Sequence, residues 1–200
     1  MEVHEERDFD SAWEKLVEVD PGRCIFSYSQ VMAYLSATKV KRVRVRESPR
    51  YVVKPWKLPR VLVKWKEENV DSRPSGRCRP LVLVGGAMLG KTEWARSFGK
   101  PIDMTKRWNM SAVCVGATHV VVNDVDVRMF GYGESYWREV LGCQTQFDAS
   151  DKCLGVRTLM WDIPCVWTCN ASNDPRQFED VSVYLEEVCA VVVELNEPLY

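Results

Sequence analysis

The stretch from Leu81 to Lys100 reads LVLVGGAMLGKTEWARSFGK, and it constrains the fold more than any other part of the chain. The run Leu81–Val84 is apolar at every position, which is typical of a strand buried on both faces of a parallel sheet. A glycine-rich turn follows, and Thr92–Phe98 has the composition of a helix that ends at Gly99. A strand, a tight turn and a helix in this order predict an α/β domain.

The turn between this strand and this helix fits the pattern of a phosphate-binding P-loop. It reads Gly85-x-x-x-x-Gly90-Lys91-Thr92. Glycines allow the main chain to wrap around phosphates with its N–H groups pointing inward, and the helix adds its positive end. Lys91 would neutralise phosphate charge and Thr92 would bind Mg²⁺. The pattern therefore predicts a nucleotide site with Mg²⁺, and the alternative is a glycine turn without a ligand.

Polar residues follow two later apolar runs of the chain. Val120–Val122 is followed by Asn123 and Asp124, and Cys165–Cys169 is followed by Asn170. Ligands of open α/β sheets bind at the carboxyl ends of strands, so these side chains are expected beside the glycine turn. Asp124 would hold Mg²⁺ or polarise the attacking water, and Asn170 would contact the terminal phosphate or that water. The alternative is that both runs end in ordinary turn residues.

Arg176 is the only basic residue between 170 and 200. It is a candidate arginine finger that would reach a phosphate bound to a neighbouring subunit. The alternative is a surface arginine in a turn. A P-loop kinase of small molecules is a further alternative, but its substrate lid would need several arginines in this region, so the composition disfavours it.

The net charge of −1 conceals a strong asymmetry along the chain. Residues 1–20 are mainly acidic, whereas residues 41–66 carry ten basic side chains and one acidic one. Tyr51, Trp56 and Trp65 are interleaved with these basic residues. This arrangement fits contact with a polyanion such as nucleic acid, and a solvated charged face is the alternative. No apolar run approaches the roughly 20 residues that cross a bilayer, so no membrane span is expected.

Composition changes along the chain predict its organisation. Helical patterns within 1–70 are followed by a polar segment at 71–79 that contains proline and glycine and reads as a linker. We therefore predict a mainly helical segment with a basic connection over 1–70, a linker at 71–79 and a P-loop domain over 80–200. Val113–Val115 also reads as a strand. None of the eight cysteines forms a C-x-x-C pair, so no zinc site is expected.

Three blocks of sequence carry a resemblance to a known family. The blocks "SGRCRPLVLVGG…GKTEWARSFG", "YWREVLGCQTQFDASDKCLG" and "IPCVWTCNASNDPR" resemble the replication-associated (Rep) proteins of geminiviruses and genomoviruses, whose motor is a superfamily 3 helicase. Residues 8–70 are similar to the central oligomerisation segment of those proteins. The resemblance implies an AAA+-like P-loop ATPase that unwinds viral DNA as a hexamer-like ring, using ATP and Mg²⁺, during rolling-circle replication in the host nucleus. The alternative is an oligomerising DNA-binding subunit that binds ATP but hydrolyses it weakly.

The resemblance also implies roles for particular residues. The family's Walker A motif is matched by Gly85, Gly90, Lys91 and Thr92, and its Walker B pair is matched by Asn123 and Asp124. Its motif C sensor is matched by Asn170. Its DNA-binding hairpin is matched by residues 144–157, with Lys152 and Arg157 as the expected phosphate contacts. Lys91, Asp124 and Asn170 are the expected catalytic residues, and Thr92 and Asp124 the expected metal ligands.

Several positions depart from the family pattern. Asn123 stands where the family usually has aspartate, Met88-Leu89 replaces an Arg-Thr pair, and Val156 replaces a lysine. The family's endonuclease uses a His-hydrophobe-His metal site, but the only histidines here are His4 and His119. Nicking activity is therefore expected only from an upstream endonuclease domain, joined to this chain in a spliced product.

Overall fold

A computed structural model of the protein describes residues 17–19, 55–131, 135–151 and 155–200. The chain divides into two compact units, residues 1–47 and 48–200. In the first unit the described residues Val17–Val19 are helical, and the rest of the predicted helical region lies outside the described residues. The predicted division at 71–79 stays a prediction.

The second unit consists mainly of strands and short helices in alternation. The helices are α1 (Arg60–Lys66), α2 (Lys91–Arg96), α3 (Trp137–Leu141) and α4 (Glu179–Glu187), and the strands are β1 (Leu81–Gly85), β2 (Pro101–Thr105), β3 (His119–Asn123), β4 (Gln146–Asp151), β5 (Gly155–Met160), β6 (Cys165–Cys169) and β7 (Val191–Leu195). A π-helical turn, Glu67–Asp71, continues α1. Within the described ranges, no helix is long and apolar enough to cross a membrane.

Five of the strands form one parallel sheet in the order β2-β3-β6-β1-β7. The central strands β1, β3 and β6 are buried along nearly their whole length, because helices and loops cover both faces of the sheet. The prediction of an α/β domain with a buried sheet is confirmed. At the end of β1 a Cβ on Gly85 would lie 2.5 Å from the backbone oxygen of Leu195 in β7, so only glycine fits there.

Alternating side chains of the sheet enter two separate apolar clusters. We call one the aromatic face; its rings come from Trp108, Phe130, Tyr136, Trp137, Phe147, Trp161 and Trp167. We call the other the helical face; it joins Leu62 and Trp65 of α1 and Trp94 of α2 to Leu81, Leu83, Val121, Val166 and Leu199.

Helix α1 is fixed to the helical face by burial and by hydrogen bonds. Trp65 is 1% exposed, and its indole N–H donates to the Arg79 backbone oxygen at 2.8 Å. The Asn69 side chain donates to the Trp65 oxygen and accepts from the Arg79 N–H, at 2.9 and 2.8 Å. For this stretch, the helical pattern predicted within residues 1–70 is confirmed. Residues 72–80 contain no helix or strand.

Strands β4 and β5 form an antiparallel hairpin outside the main sheet, with Asp148 opposite Thr158. Phe147 and Ala149 of β4 are buried against the aromatic face. Arg157 and Val156 of β5 are exposed. The aromatic face therefore anchors one side of the hairpin, while the other side remains open to solvent.

Candidate functional site

A cleft of about 360 Å³ opens at the carboxyl edge of the sheet, where β1, β3 and β6 end. Ligands of open α/β sheets bind at this edge. The lining residues are Ala87, Met88, Leu89, Gly90, Lys91, Thr92, Glu93, Arg96, Asn123, Asp124, Thr168, Asn170 and Tyr200. Six of the predicted site residues, drawn from three separate sequence blocks, therefore line one cavity.

The glycine loop at the cleft contains two residues with a left-handed backbone. Met88 and Gly90 both have positive φ angles, of 63° and 83°. A Cβ on Gly90 would also lie 2.9 Å from the ring of Tyr200. Two bonds from the far end of the chain hold the loop, since the Leu199 N–H donates to the Leu89 oxygen at 3.0 Å and the Tyr200 hydroxyl donates to the Met88 oxygen at 2.9 Å.

Lys91 begins α2 and is 8% exposed. Its ammonium donates to the backbone oxygens of Gly85 and Gly86, at 2.8 and 2.6 Å. Burial lowers the pKa of Lys91 below its ordinary value, and the nearby Asp124 carboxylate opposes that shift. The carbonyl oxygens of the glycine loop thus hold the Lys91 ammonium at the base of the loop.

Three side chains meet at the adjoining ends of α2, β3 and β6. The hydroxyls of Thr92 and Thr168 both donate to the Asn123 amide oxygen, at 2.6 and 2.9 Å. The two hydroxyl oxygens are 3.3 Å apart, and Asn123 and Thr168 are paired across β3 and β6. Because the Thr92 hydroxyl donates to Asn123, its lone pairs remain available to a cation.

Asp124 and Asn170 complete the polar wall of the cleft. Asp124 has a left-handed backbone with φ of 51°, and its N–H donates to the Thr168 oxygen at 3.0 Å. This turn makes Asp124 exposed at the cleft, whereas the preceding strand residues are buried. Asn170 follows β6 and is half-buried at the same cleft.

The oxygen donors in the cleft have the chemistry that Mg²⁺ requires. Thr92 supplies a hydroxyl, Asp124 a carboxylate and Asn123 an amide oxygen. Hard oxygen ligands of this kind, few in number, are how Mg²⁺ is held beside phosphates. Since Asn123 is uncharged and its oxygen already accepts two hydroxyls, Asp124 is better suited than Asn123 to hold the cation.

Comparison with known proteins gives three relatives with the same description. The chain is 25% identical over 134 residues to the replication-associated protein of Tobacco yellow dwarf virus (strain Australia), covering 62% of this chain and 37% of the relative. The corresponding protein of Bean yellow dwarf virus is 25% identical over 113 residues, 55% of this chain and 33% of the relative. That of Maize streak virus genotype C (isolate Set) is 26% identical over 137 residues, 64% of this chain and 36% of the relative.

This chain is similar to geminivirus replication-associated proteins. The resemblance predicted from the three sequence blocks is confirmed for the geminiviruses. The matched part spans only 33% to 37% of each of these geminivirus relatives. No protein-family profile matches the sequence.

The other predicted site residues do not line the cleft or fall outside the described residues. Arg176 pairs with Asp174 at 2.6 Å and with Glu194 at 2.7 Å, and hydrogen bonds to these carboxylates raise its pKa. Arg157 lies on β5 of the hairpin. Lys152 falls outside the described residues. The roles of these three residues stay predictions.

The cleft residues that the sequence did not predict include Thr168 and Tyr200. Thr168 lies inside a buried apolar strand, and its signal was its position two residues before Asn170, on the same side of β6. Tyr200 is distant from every motif, and nothing local in the sequence relates it to the glycine loop.

Proposed function

We propose that this chain is the ATP-dependent DNA helicase part of a replication-associated protein that acts in rolling-circle DNA replication. The observation that carries the proposal is the single cleft shared by Lys91, Thr92, Asp124 and Asn170. The description of the three geminivirus relatives supports the replication role. The parallel sheet with a glycine loop after β1 supports a P-loop ATPase fold.

Binding of a triphosphate would use the glycine loop and Lys91. The loop's main-chain N–H groups would surround the phosphates, as glycine-containing turns do in phosphate sites. The Lys91 ammonium would leave the oxygens of Gly85 and Gly86 and pair with phosphate oxygens. The positive charge of Lys91 would then stabilise the negative charge that develops during phosphoryl transfer.

The metal side of the cleft would use Thr92 and Asp124. When bound, Mg²⁺ supplies positive charge to the phosphate oxygens. Asn123 orients the Thr92 hydroxyl by accepting its hydrogen bond, and Thr168 fixes Asn123 in turn by donating to the same oxygen. Asn170 would donate its amide to the terminal phosphate or position the attacking water.

The proposed DNA and subunit contacts lie outside the cleft. Lys152 and Arg157 would bind DNA phosphates from the β4–β5 hairpin, with both single-stranded and duplex viral DNA as partners. Residues 1–70 would drive assembly of a hexamer-like ring, and Arg176 would act across subunits only after leaving Asp174 and Glu194. The activity would take place in the nucleus of an infected cell, with an upstream endonuclease domain supplying the nicking step.

The direct test is ATP hydrolysis by the purified chain with Mg²⁺, with and without single-stranded DNA. We expect hydrolysis that DNA accelerates, unwinding of a tailed duplex, and loss of both with Lys91→Ala. Lys100→Ala is the matched control, because Lys100 is exposed and lies outside the cleft. Absence of nucleotide binding in the wild type would refute the proposal. Tight binding without turnover would replace it with the weakly hydrolysing alternative.

A further inference from the structure

Two aromatic rings stand beside the cleft without a part in the phosphate chemistry proposed above. Tyr200 lines the cleft directly. One of its ring carbons lies 2.9 Å from the position that a Cβ on Gly90 would take, and a ring carbon of Trp56 lies 3.5 Å from the same point. The two rings are 6.5 Å apart, edge to face, at 69°. Trp56 therefore supports Tyr200 from the side.

The Tyr200 ring is fixed in place although 39% of the residue is exposed. Its hydroxyl donates to the Met88 oxygen at 2.9 Å. The preceding residue, Leu199, is 1% exposed within the helical face, and its backbone bonds to both Leu89 and Lys57. A planar ring that is held rigidly and left partly open to a polar cleft has little rotational freedom to lose when it stacks on a ligand.

The size of the cleft also allows more than a phosphate chain. At about 360 Å³ it falls within the range, about 300–1,000 Å³, that is typical of sites for whole small molecules. Its described wall is polar along Lys91, Thr92 and Asp124, and Tyr200 supplies the large aromatic surface. The cleft thus has one part suited to phosphates and another suited to a flat apolar ring.

We propose that Tyr200, supported by Trp56, is the stacking surface for the base of the bound nucleotide and favours purines over pyrimidines. This inference rests on the proposed function and assigns the site its base preference. Stacking follows the overlap of the rings, so the two-ring system of a purine gains more contact with Tyr200 than a pyrimidine does. Tyr200 would then bind the ligand directly, while its hydroxyl separately holds the glycine loop through Met88.

The two roles of Tyr200 can be separated with a ligand that lacks a base. Binding of ATP and of inorganic tripolyphosphate, each with Mg²⁺, is measured by titration calorimetry on the full chain. For Tyr200→Leu we expect ATP to bind roughly 5- to 100-fold more weakly, the usual range for loss of one base–aromatic stack. Tripolyphosphate should bind equally to Tyr200→Leu and to Tyr200→Phe, since both variants lose the hydroxyl bond to Met88. Tyr200→Phe, which keeps the ring and loses the hydroxyl, should retain the wild-type ratio of ATP to tripolyphosphate affinity.

Each outcome of these titrations decides a different point. If Tyr200→Leu weakens ATP and tripolyphosphate equally, the residue acts only by holding the loop and the inference is overturned; an unchanged ATP affinity also overturns it. If the wild type binds neither ligand, the proposed function itself fails. A wild-type chain that binds ATP and CTP with equal affinity overturns the inference without any substitution, so the test stands even if Tyr200→Leu does not fold.

Discussion

The aromatic face of the sheet and the cleft at its carboxyl edge are built from different side chains. On the aromatic face Trp108 contacts Phe130, Tyr136, Phe147 and Trp161 with ring centroids 5.0 to 6.2 Å apart. The cleft contains polar side chains that bond to the backbone and to one another. Apolar burial provides most of the stability of a fold, whereas the cleft can change its partners when a ligand binds. Substitutions on the aromatic face should therefore affect mainly stability, and substitutions in the cleft should affect mainly ligand binding.

The largest effect is expected on the aromatic face. Trp167 is fully buried on β6 and packs edge to face against Phe130 at 5.3 Å. Trp167→Ala should lower the free energy of unfolding by about 3–5 kcal/mol, because it removes a large buried side chain and leaves a cavity. Chemical denaturation measures the change. Trp167→Phe, which keeps a ring against Phe130, should lose much less. Equal losses for the two variants would contradict this packing role.

For Lys91→Ala in the cleft we expect a large loss of activity and a small loss of stability. Removing the ammonium should reduce ATP hydrolysis by at least about 100-fold, the scale for loss of one charge-stabilising donor at a phosphoryl-transfer site. The denaturation midpoint should shift far less than for Trp167→Ala, since the side chain bonds only to two loop oxygens. Assays of ATP turnover and of unfolding on the same sample test both expectations. A collapse of stability would show that Lys91 is a structural residue.

A third effect depends on pH and concerns His119, which begins β3. The ring is buried, bonds to the Ala95 oxygen at 2.8 Å and stacks on Phe98. Burial lowers its pKa from 6.5 to about 4, and the positive charge of Lys66 adds to that shift. The unfolded chain therefore binds a proton more readily, so this contribution is complete above pH 6.5 and is lost as the pH falls toward 4. The loss is on the order of 3 kcal/mol at most.

Denaturation curves between pH 7 and pH 4 measure this effect. His119→Gln is the matched variant, since an amide can still donate to the Ala95 oxygen but does not titrate. Its stability should fall less steeply with decreasing pH than that of the wild type. Identical slopes for the two proteins would show that His119 is not the group responsible.

The smallest effect is expected for Thr168, because its hydroxyl donates to Asn123, which in turn orients the Thr92 hydroxyl. Thr168→Val keeps the shape and removes one hydroxyl donor to the Asn123 oxygen. We expect the Mg²⁺ concentration for half-maximal hydrolysis to rise by roughly 3- to 10-fold, the scale of one lost hydrogen bond. Thr168→Ser should restore the wild-type value. An unchanged Mg²⁺ dependence in Thr168→Val would mean that Asn123 needs no support.

The sequence predicted the centre of the fold better than its edges. Strands β1, β3 and β6 were predicted, because each carries a run of apolar residues that is buried on both sides of the sheet. Strand β2 lies at the edge of the sheet, begins with proline and alternates between buried and exposed residues, so it gave no clear signal. The other edge strand, β7, was also missed.

The prediction of a strand at Val113–Val115 is wrong. A short helical turn, Met110–Ala112, precedes this run, and Gly116 follows with φ of 76°. Val115 is 96% exposed, so the run lacks a neighbouring strand that would bury it. Local composition could not reveal this, because whether an apolar tripeptide pairs depends on contacts distant in sequence.

The cleft residues that belong to contiguous sequence motifs could be predicted. Lys91 and Thr92 follow the glycines directly, and Asn123 and Asp124 follow a strand. Tyr200 reaches the same cleft because the preceding Leu199 is buried in the helical face and bonds to the glycine loop, which is a result of packing.

The bonds from Lys91 to Gly85 and Gly86 would make entry of the proposed phosphate ligand an exchange reaction. The loop's own carbonyl oxygens hold the ammonium, so an arriving phosphate would displace them instead of meeting an unsolvated charge. The measured affinity would then report the difference between two sets of bonds. Release of product would be assisted by the same carbonyls, which recapture the ammonium as the phosphate leaves.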